Sequence, residues 1–340
     1  MNELYPSLED SHIKAVENAI CPFKVDLPLS LKNTIESACS GFLALKKESH
    51  NKWEDSILNS LDFHYSDEKL KIIEANTNAS GFLISHLFEQ PREDIEDFEK
   101  KLFKSFQKKF GEGFKKIFIA DRKPDEEKMY AEFLMFKDFF GRFDIEAVII
   151  ETSKLEEQLK DTTSEKTSVY NRDTDFHFDG YPELLKAWQD GRLILTSSPL
   201  SYDNIAAKAV HQKELDLLGS EKYSNLKKHF LETLDFNNDL WTVRKGYFFK
   251  PASSFGSKGV YAGKSISRKK FDRLGVDQAY LAQEFHPPGK VTNGETKWKY
   301  DIRAYFSEGS VQKILARVYQ GQLTNFSQSG GGFALINWIG

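Results

Sequence analysis

Residues 247–263 of the chain are YFFKPASSFGSKGVYAG. A β-prone aromatic run ends at Lys250, a segment rich in glycine and serine follows, and a second short strand begins at Val260. The pattern therefore predicts a β-hairpin with a polar tip. Because Gly256 and Gly259 allow a close approach of backbone N–H groups, and because serine hydroxyls and lysines lie beside them, such a tip suits a polyanionic ligand.

Two interpretations of this tip stay open at the level of composition. An exposed hairpin with a flexible tip would have the same residues. A Walker A loop is excluded, because that motif places G-K-[ST] before a helix, whereas Lys258 is followed by Gly259 and more strand.

The overall composition indicates a globular protein of two or three domains. Of 340 residues, 40% are hydrophobic and 29% are charged, which is enough apolar material for separate cores. The 47 Lys and Arg residues against 51 Asp and Glu residues give a net charge of −4. We therefore expect no nucleic-acid partner.

The two cysteines, Cys21 and Cys39, fit neither a disulfide framework nor a zinc spacing, which favours a reducing compartment. No apolar run approaches the length of a membrane span, and the first ten residues are acidic rather than signal-like. A cytoplasmic protein without membrane contact is the resulting expectation.

A second informative stretch lies in residues 60–85, which predict two strands joined by a turn at 66–69. Glu74 and Asn76 are two residues apart and share one strand face, and Asp62 on the first strand is expected opposite them. Two carboxylates and an amide oxygen on one face repel one another unless a cation lies between them, and Mg²⁺ bound to nucleotide phosphates meets that need. The alternative is a solvated strand face in which Asn76 and Asn78 are turn residues.

Residues 111–200 alternate strands and helices, which predicts a small Rossmann-like layer. Its first strand is not followed by G-x-G-x-x-G, so the layer is expected to shape a substrate cleft rather than to bind a dinucleotide. Asp121, Asn171 and Arg172 follow predicted strands and are minor candidates, since helix caps and loop ion pairs use the same residue types.

The remaining segments complete the prediction. Residues 1–50 are expected to be helical, Lys208 is expected early in a helix over 206–218, and a strand is expected at Trp241. A strand over 299–306 places Asp301 and Arg303 on one face, and the next strand carries Arg317. Two arginines on one side need an anionic partner, and Asp301 is the candidate for one of them.

Taken together, these segments resemble the ATP-grasp superfamily, the fold of glutathione synthetase and D-alanine ligase. The likeness is carried by YFFKPASSFGSKGV, YLAQEF, KYDIRAYF and ARVYQGQLTNFSQSGGGF. LKIIEANTNASG at 70–81 resembles the E-x-N magnesium element of that family but precedes the other motifs. The chain is thus similar to circularly permuted ATP-grasp proteins of bacteria and, more distantly, to the synthetase half of glutathionylspermidine synthetase.

The resemblance implies a role for individual residues. Lys208 and Lys250 resemble the two ATP lysines, and Asp62, Glu74 and Asn76 resemble the metal ligands. Arg303 and Arg317 resemble the catalytic arginines near the γ-phosphate and the acyl-phosphate. The implied nucleotide contacts are completed by Ser254, Gly256, Ser257, Lys258 and Gly259 in the phosphate-covering loop, by Gln283, Glu284 and Phe285 in the adenine hinge, and by Asn325.

The resemblance also implies an organisation and an activity. We expect an α/β (α+β) circularly permuted ATP-grasp fold, with N-terminal helices and the metal-binding part in 1–110, a Rossmann-like pre-ATP-grasp domain in 111–200 and the ATP-binding part in 201–340. The implied enzyme is a carboxylate–amine ligase that uses ATP and Mg²⁺, forms an acyl-phosphate, and takes small-molecule or peptide carboxylates and amines. A small-molecule kinase and a nucleotide-binding module without turnover stay as alternatives, and a homodimer is one option because many ligases of this fold are dimers.

Overall fold

A computed structural model of the chain describes the following residues: 1, 3–87, 92–160, 166–208, 212–252, 259–276, 279–321, 324 and 330–340. The α-helices within them are α1 (Asp10–Asn18), α2 (Leu29–Ser49), α3 (Arg92–Phe110), α4 (Tyr130–Gly141), α5 (Thr152–Lys160), α6 (Pro182–Gln189), α7 (Pro199–Ile205), α8 (Gln212–Leu218), α9 (Ser224–Lys227) and α10 (Arg268–Phe271). Among the same residues, no helix has both the length and the apolar character that crossing a membrane requires.

The strands of the described residues are β1 (Val25–Pro28), β2 (Asn59–Ser66), β3 (Lys69–Asn76), β4 (Lys116–Asp121), β5 (Glu146–Glu151), β6 (Thr167–Asn171), β7 (Leu193–Leu195), β8 (Thr233–Asp235), β9 (Tyr247–Pro251), β10 (Tyr261–Ala262), β11 (Tyr280–Glu284), β12 (Gly289–Asn293), β13 (Thr296–Ser307), β14 (Ser310–Tyr319), β15 (Gly332–Ala334) and β16 (Ile336–Ile339). They form a mixed α/β structure with parallel and antiparallel sheets, as the sequence predicts.

The central six-stranded sheet is antiparallel and contains both polar strand faces identified from the sequence. Its order is β15-β14-β13-β2-β3, with β12 pairing β13. The β2–β3 turn is tight because Asp67 and Glu68 both have positive φ, +50° and +56°, as two-residue hairpin loops require. Helix α2 covers the apolar face of this sheet, where Phe42, Ile302 and Ala316 belong to one buried cluster.

Two further sheets have four strands each, and they contain the predicted Rossmann-like strands and the predicted hairpin. β4, β5, β6 and β7 are parallel in the order β5-β4-β6-β7 and lie entirely within residues 111–200. The hairpin β9–β10 belongs to an antiparallel sheet of order β10-β9-β11-β8. The expected domain boundaries at 110 and 200 stay predictions.

Several expectations were wrong in detail. Residues 25–28 form a strand rather than helix, because β1 pairs in parallel with β16. Lys208 lies between α7 and α8 rather than inside a helix, and Trp241 ends a 3₁₀ turn, with the strand beginning at Tyr247. The segments β8, β12 and α5 were not predicted, because each is short or sits in a polar stretch without clear periodicity.

The chain ends meet at a close backbone contact between Gly332 and residues 19–20. The N–H of Phe333 donates to the carbonyl of Ala19 at 2.8 Å, and the N–H of Cys21 donates to the carbonyl of Phe333 at 2.7 Å. Gly332 has φ +133°, and a Cβ there would lie 2.3 Å from the Ala19 oxygen. Only glycine fits this crossing without displacement of one backbone.

We expect Gly332→Ala to lower the free energy of unfolding by about 1–3 kcal/mol, because the added methyl group meets backbone atoms that cannot yield locally. Urea denaturation would measure the loss. Gly141→Ala is the matched control, since Gly141 ends α4 with open space around its Cα, and its stability should be unchanged or higher by up to about 1 kcal/mol. Equal urea midpoints for Gly332→Ala and Gly141→Ala would contradict the close backbone contact at Gly332.

Candidate active site

One cavity of about 740 Å³ lies where the central sheet faces the sheet of β8–β11. Its lining includes nine of the residues that the sequence singled out: Asp62, Glu74, Asn76, Lys208, Lys250, Gln283, Glu284, Arg303 and Arg317. Side chains donated from both ends of the sequence therefore share one space. Their roles in binding or catalysis stay predictions.

Two other predicted site residues are described and lie outside this cavity. Gly259 and Phe285 are not part of the cavity lining. The Gly259 carbonyl accepts from the Tyr280 hydroxyl at 3.1 Å, and the Phe285 ring packs on Phe248 at 5.5 Å. Ser254, Gly256, Ser257, Lys258 and Asn325 lie outside the described residues.

At the centre of the cavity, Asp62 is held by two arginines. Register places Asp62 of β2 opposite both Glu74 of β3 and Arg303 of β13. The Arg303 guanidinium donates to both Asp62 oxygens at 2.7 Å, and Arg317 donates to one of them at 2.9 Å. Arg317 also donates to Asp301 at 2.6 Å. This arrangement is called the Asp–Arg network below.

The Asp–Arg network explains the charges on this face. Burial alone would raise the pKa of Asp62, but Arg303 and Arg317 outweigh it and hold that pKa below its usual value. The sequence argument expected a metal cation to relieve the Asp62 carboxylate, whereas guanidinium groups do so here. The sequence predicted that Asp301 would pair with one of the two arginines, and that arginine is Arg317. The pairing of Asp62 with Arg303 was missed because it depends on the β2–β13 register.

The predicted metal ligands can be compared with this geometry. Within the described ranges, no group of three His, Cys, Asp or Glu side chains is arranged to hold a metal ion. Asp62 accepts from both arginines and from the Asn76 amide at 3.2 Å, so its oxygens are already engaged. The Glu74 carboxylate and the side-chain oxygen of Asn76 are the remaining candidate metal ligands. Two protein ligands suit Mg²⁺, because that ion completes its coordination shell with phosphate and water.

On the opposite wall, Lys250 projects from β9 as a half-buried side chain. Its Nζ donates to the Gln283 amide oxygen at 2.6 Å. Burial lowers the pKa of Lys250 to about 8, opposed by Glu74 and reinforced by Lys208. Burial likewise lowers the pKa of Lys208, against the opposing charge of Glu74. An anion bound in the cavity would stabilise the charged forms of these two partly desolvated lysines.

The minor candidates Asp121, Asn171 and Arg172 do not line this cavity. Burial raises the pKa of Asp121 to about 6. The Arg172 guanidinium packs 5.6 Å from the ring centres of Phe133 and Tyr170 and donates to the Asn78 carbonyl. These contacts are structural, and they attach the parallel sheet to the loop after β3.

Sequence reasoning missed the cavity residues outside the recognised motifs. Ala15, Asn18 and Ala19 from the end of α1, together with Lys128 and Met129 before α4, also line it. No signal in these isolated residues pointed to a site. Only the fold shows them beside the Asp–Arg network.

Comparison with known proteins adds to the assignment of fold. No family model and no curated protein matches the sequence. Among solved structures, the chain is similar to a glutathione synthetase-like effector from Globodera pallida in its apo form, with a TM-score of 0.57 and 11% identity over 99% of this chain and 97% of that one. The chain shares that fold.

A putative gamma-glutamylcysteine synthetase from Methylobacillus flagellatus is also similar, with a TM-score of 0.52 and 10% identity over 86% of this chain and 82% of the other. These likenesses confirm the fold class predicted through the ATP-grasp resemblance. At such low identity they concern the fold alone. Circular permutation stays a prediction.

Removing the carboxylate from the Asp–Arg network should be costly. We expect Asp62→Asn to lower the free energy of unfolding by about 3–5 kcal/mol at pH 7, because two buried guanidinium groups lose their shared anion. Urea denaturation checks this, with Asp67→Asn in the exposed β2–β3 turn as the control.

The pH dependence of that loss follows from the lowered pKa of Asp62. The carboxylate stabilises the fold fully above its unfolded pKa of about 3.9 and stops doing so as the pH falls through its lower folded value. The difference between wild type and Asp62→Asn should therefore persist to pH 4 and close only below it. A difference that closes near pH 6 would contradict the ion pairing.

Lys250 gives a second pH prediction. Because its pKa in the free protein is about 8 and an adjacent polyphosphate would raise it, nucleotide binding above pH 8 should take up a proton, and affinity should fall as the pH rises. Calorimetry in buffers of different ionisation enthalpy measures this uptake. Lys250→Met should reduce it to the share contributed by Lys208, whereas Lys245→Met, in the 3₁₀ turn before β9, should keep it whole.

Proposed function

We propose that the chain is an ATP- and Mg²⁺-dependent ligase that joins a carboxylate to an amine through an acyl-phosphate. The observation that supports this most is the convergence of Lys250, Glu74 with Asn76, and the two arginines on one cavity. Each group answers one need of phosphoryl transfer, which depends on positioning and on neutralising oxygens that gain negative charge.

The residues have distinct parts in this proposal. Lys250 and Lys208 bind the phosphate chain, Gln283 and Glu284 lie on the strand beside the nucleotide base and ribose, and Glu74 with Asn76 would hold Mg²⁺. The metal ion, when bound, would neutralise charge on the transferring phosphoryl group. The base would rest against Ile73, Leu231, Phe248 and Val260, four of the apolar residues in the lining.

The reaction proceeds in two balanced steps. A substrate carboxylate oxygen attacks the γ-phosphorus of ATP, the bond to the β-phosphate oxygen breaks, and ADP leaves. The amine then attacks the acyl carbon, inorganic phosphate leaves with the C–O bonding pair, and the amine loses a proton. Arg303 and Arg317 keep their positive charge throughout, so they can stabilise both the phosphoryl group and the departing phosphate.

Hydroxylamine trapping provides the test. Acyl-phosphates react with hydroxylamine to give hydroxamates, so protein, ATP, Mg²⁺ and a panel of carboxylic acids should yield hydroxamate and ADP together. We expect Glu74→Gln and Lys250→Met to lower the rate about 100-fold or more, because each removes charge from the reacting site. Glu68→Gln and Lys245→Met, matched changes outside the cavity lining, should retain wild-type rates.

The other outcomes identify the alternatives. Release of ADP with a stable phosphorylated product and no hydroxamate would indicate a kinase. Calorimetric binding of ATP without ADP release across the acid and amine panel would indicate a nucleotide-binding module. Wild-type turnover in the Glu74→Gln, Lys250→Met double variant would remove this cavity from the reaction.

A further inference from the structure

The cavity lining extends beyond the proposed nucleotide residues, and a series of contacts connects Lys250 with Ser80. Lys250 and Gln283 approach the Ile73 carbonyl at 3.5 and 3.4 Å, at the residue before Glu74. Glu74 faces Asp62, which is bound to Arg303. Arg303 then donates to the Ser80 carbonyl at 3.3 Å. Ser80 thus adjoins the Asp–Arg network through Arg303.

Beyond Ser80, the wall is formed by the start of α4. The Glu132 carboxylate accepts from the N–H groups of Gly81 at 2.7 Å and Leu83 at 3.1 Å. This fixes the first turn of α4 against the residues that follow Ser80. Lys128 and Met129, just before that turn, belong to the cavity lining, as Ser80 does.

Helix α1 completes this end. Its last turn is anchored by the backbone bond between Phe333 and Ala19, and His12 packs edge-on against Tyr130 of α4 at 5.7 Å. Ala15 and Asn18 are exposed and line the cavity. The region formed by Ala15, Asn18, Ser80, Lys128 and Met129 is called the α1 end below.

The charges differ between the two ends. At the centre, Arg303 and Arg317 already carry Asp62 and Asp301 as partners. At the α1 end, Lys128 is exposed and forms no ion pair with any residue the structure describes. The α1 end therefore contributes the positive charge of Lys128 and the amide of Asn18 to the lining, and none of its residues is a carboxylate.

The topology of the parallel sheet relates Lys128 to the point where the strand order reverses. In the order β5-β4-β6-β7, the chain moves outward in one direction from β4 to β5 and then returns to the other side of β4 with β6. Open α/β sheets bind ligands at the carboxyl ends of the strands where the order reverses. Lys128 lies in the connection that follows the carboxyl end of β4.

We propose that the α1 end binds the acid substrate and that this acid carries a second carboxylate, which pairs with Lys128 while Asn18 donates to it. The inference rests on the proposed ligase function. The reacting carboxylate lies at the Asp–Arg network, and the second one lies toward α1. The small side chains Ala15 and Ser80 leave room for the carbon chain between them.

Lys128→Ala tests the subsite with defined probes. Hydroxamate formation is measured with succinate, glutarate and adipate, and with butyrate as the monocarboxylate. In wild type, the preferred diacid should have a KM at least about tenfold below that of butyrate, as one charge-assisted contact provides. Lys128→Ala should remove this advantage and leave kcat, the butyrate KM and the affinity for an ATP analogue unchanged.

Lys123→Ala is the matched control. Lys123 is a lysine of the same connection, pairs with Glu126 and is not part of the lining, so the diacid preference should persist. Lys128→Glu adds a charge-reversal test, since it should lower the KM for 4-aminobutyrate, whose ammonium group would meet the new carboxylate. A purely structural role of Lys128 would not produce that gain.

Calorimetry of the diacids in the presence of the ATP analogue separates this inference from the proposed function. Diacid binding that is lost in Lys128→Ala supports the subsite even where no hydroxamate forms, in which case only the ligase proposal fails. Hydroxamate formation with equal KM for diacids and butyrate overturns the subsite and leaves the ligase proposal intact. Absence of diacid binding to the wild type also overturns it.

The contribution of α1 is tested separately by Ala15→Leu. The larger side chain would occupy the space toward α1, so the KM of every acid should rise while ATP-analogue affinity stays constant. Lys14→Leu, the preceding position on the same helix and not part of the lining, is the control. A rise in the ATP KM instead would place α1 at the nucleotide and overturn the assignment.

Discussion

The buried pairing of Asp62 with Arg303 and Arg317 is the constraint on which the rest of the site depends. It joins β2, β13 and β14 across the middle of the central sheet through side chains that are almost entirely removed from solvent. Such a network contributes little net stability compared with apolar packing, but losing one member is expensive because the remaining charges stay buried. Its value lies in the fixed direction of two guanidinium groups at the cavity.

Strand alternation transmits this constraint to the neighbouring residues. Because Asp62 is paired with Glu74, and Asn76 is two residues further along the same strand, all three side chains emerge on the face that Arg303 shares. The opposite face packs on α2. A shift of one residue in the β2–β3 register would send the polar set into that apolar core, so hydrophobic burial fixes the polar side as well.

Much of this arrangement could be predicted from the sequence, and the reasons are local. Alternating polarity in 60–76 and 299–306 predicted the polar faces of β2–β3 and of β13. The Gly/Ser segment after Lys250 predicted the β9–β10 hairpin. What could not be predicted depends on contacts distant in sequence. The pairing of β1 with β16, the Asp62–Arg303 bond and the presence of Lys128 in the cavity lining each depend on segments with no shared pattern. Lys208 was placed in a helix because periodicity continues across its neighbours, whereas the chain turns there.

The parallel pairing of β1 with β16 also bears on how the protein matures. Asp26 and Asn337, partners across that pair, are 311 residues apart in sequence. During synthesis β2 and β3 can pair early, but β1 must wait until β16 has left the ribosome. The wall that α1 gives to the cavity is held by Phe333, which is made just before β16. A nascent chain therefore leaves this side of the cavity open until residues 332–339 have been made.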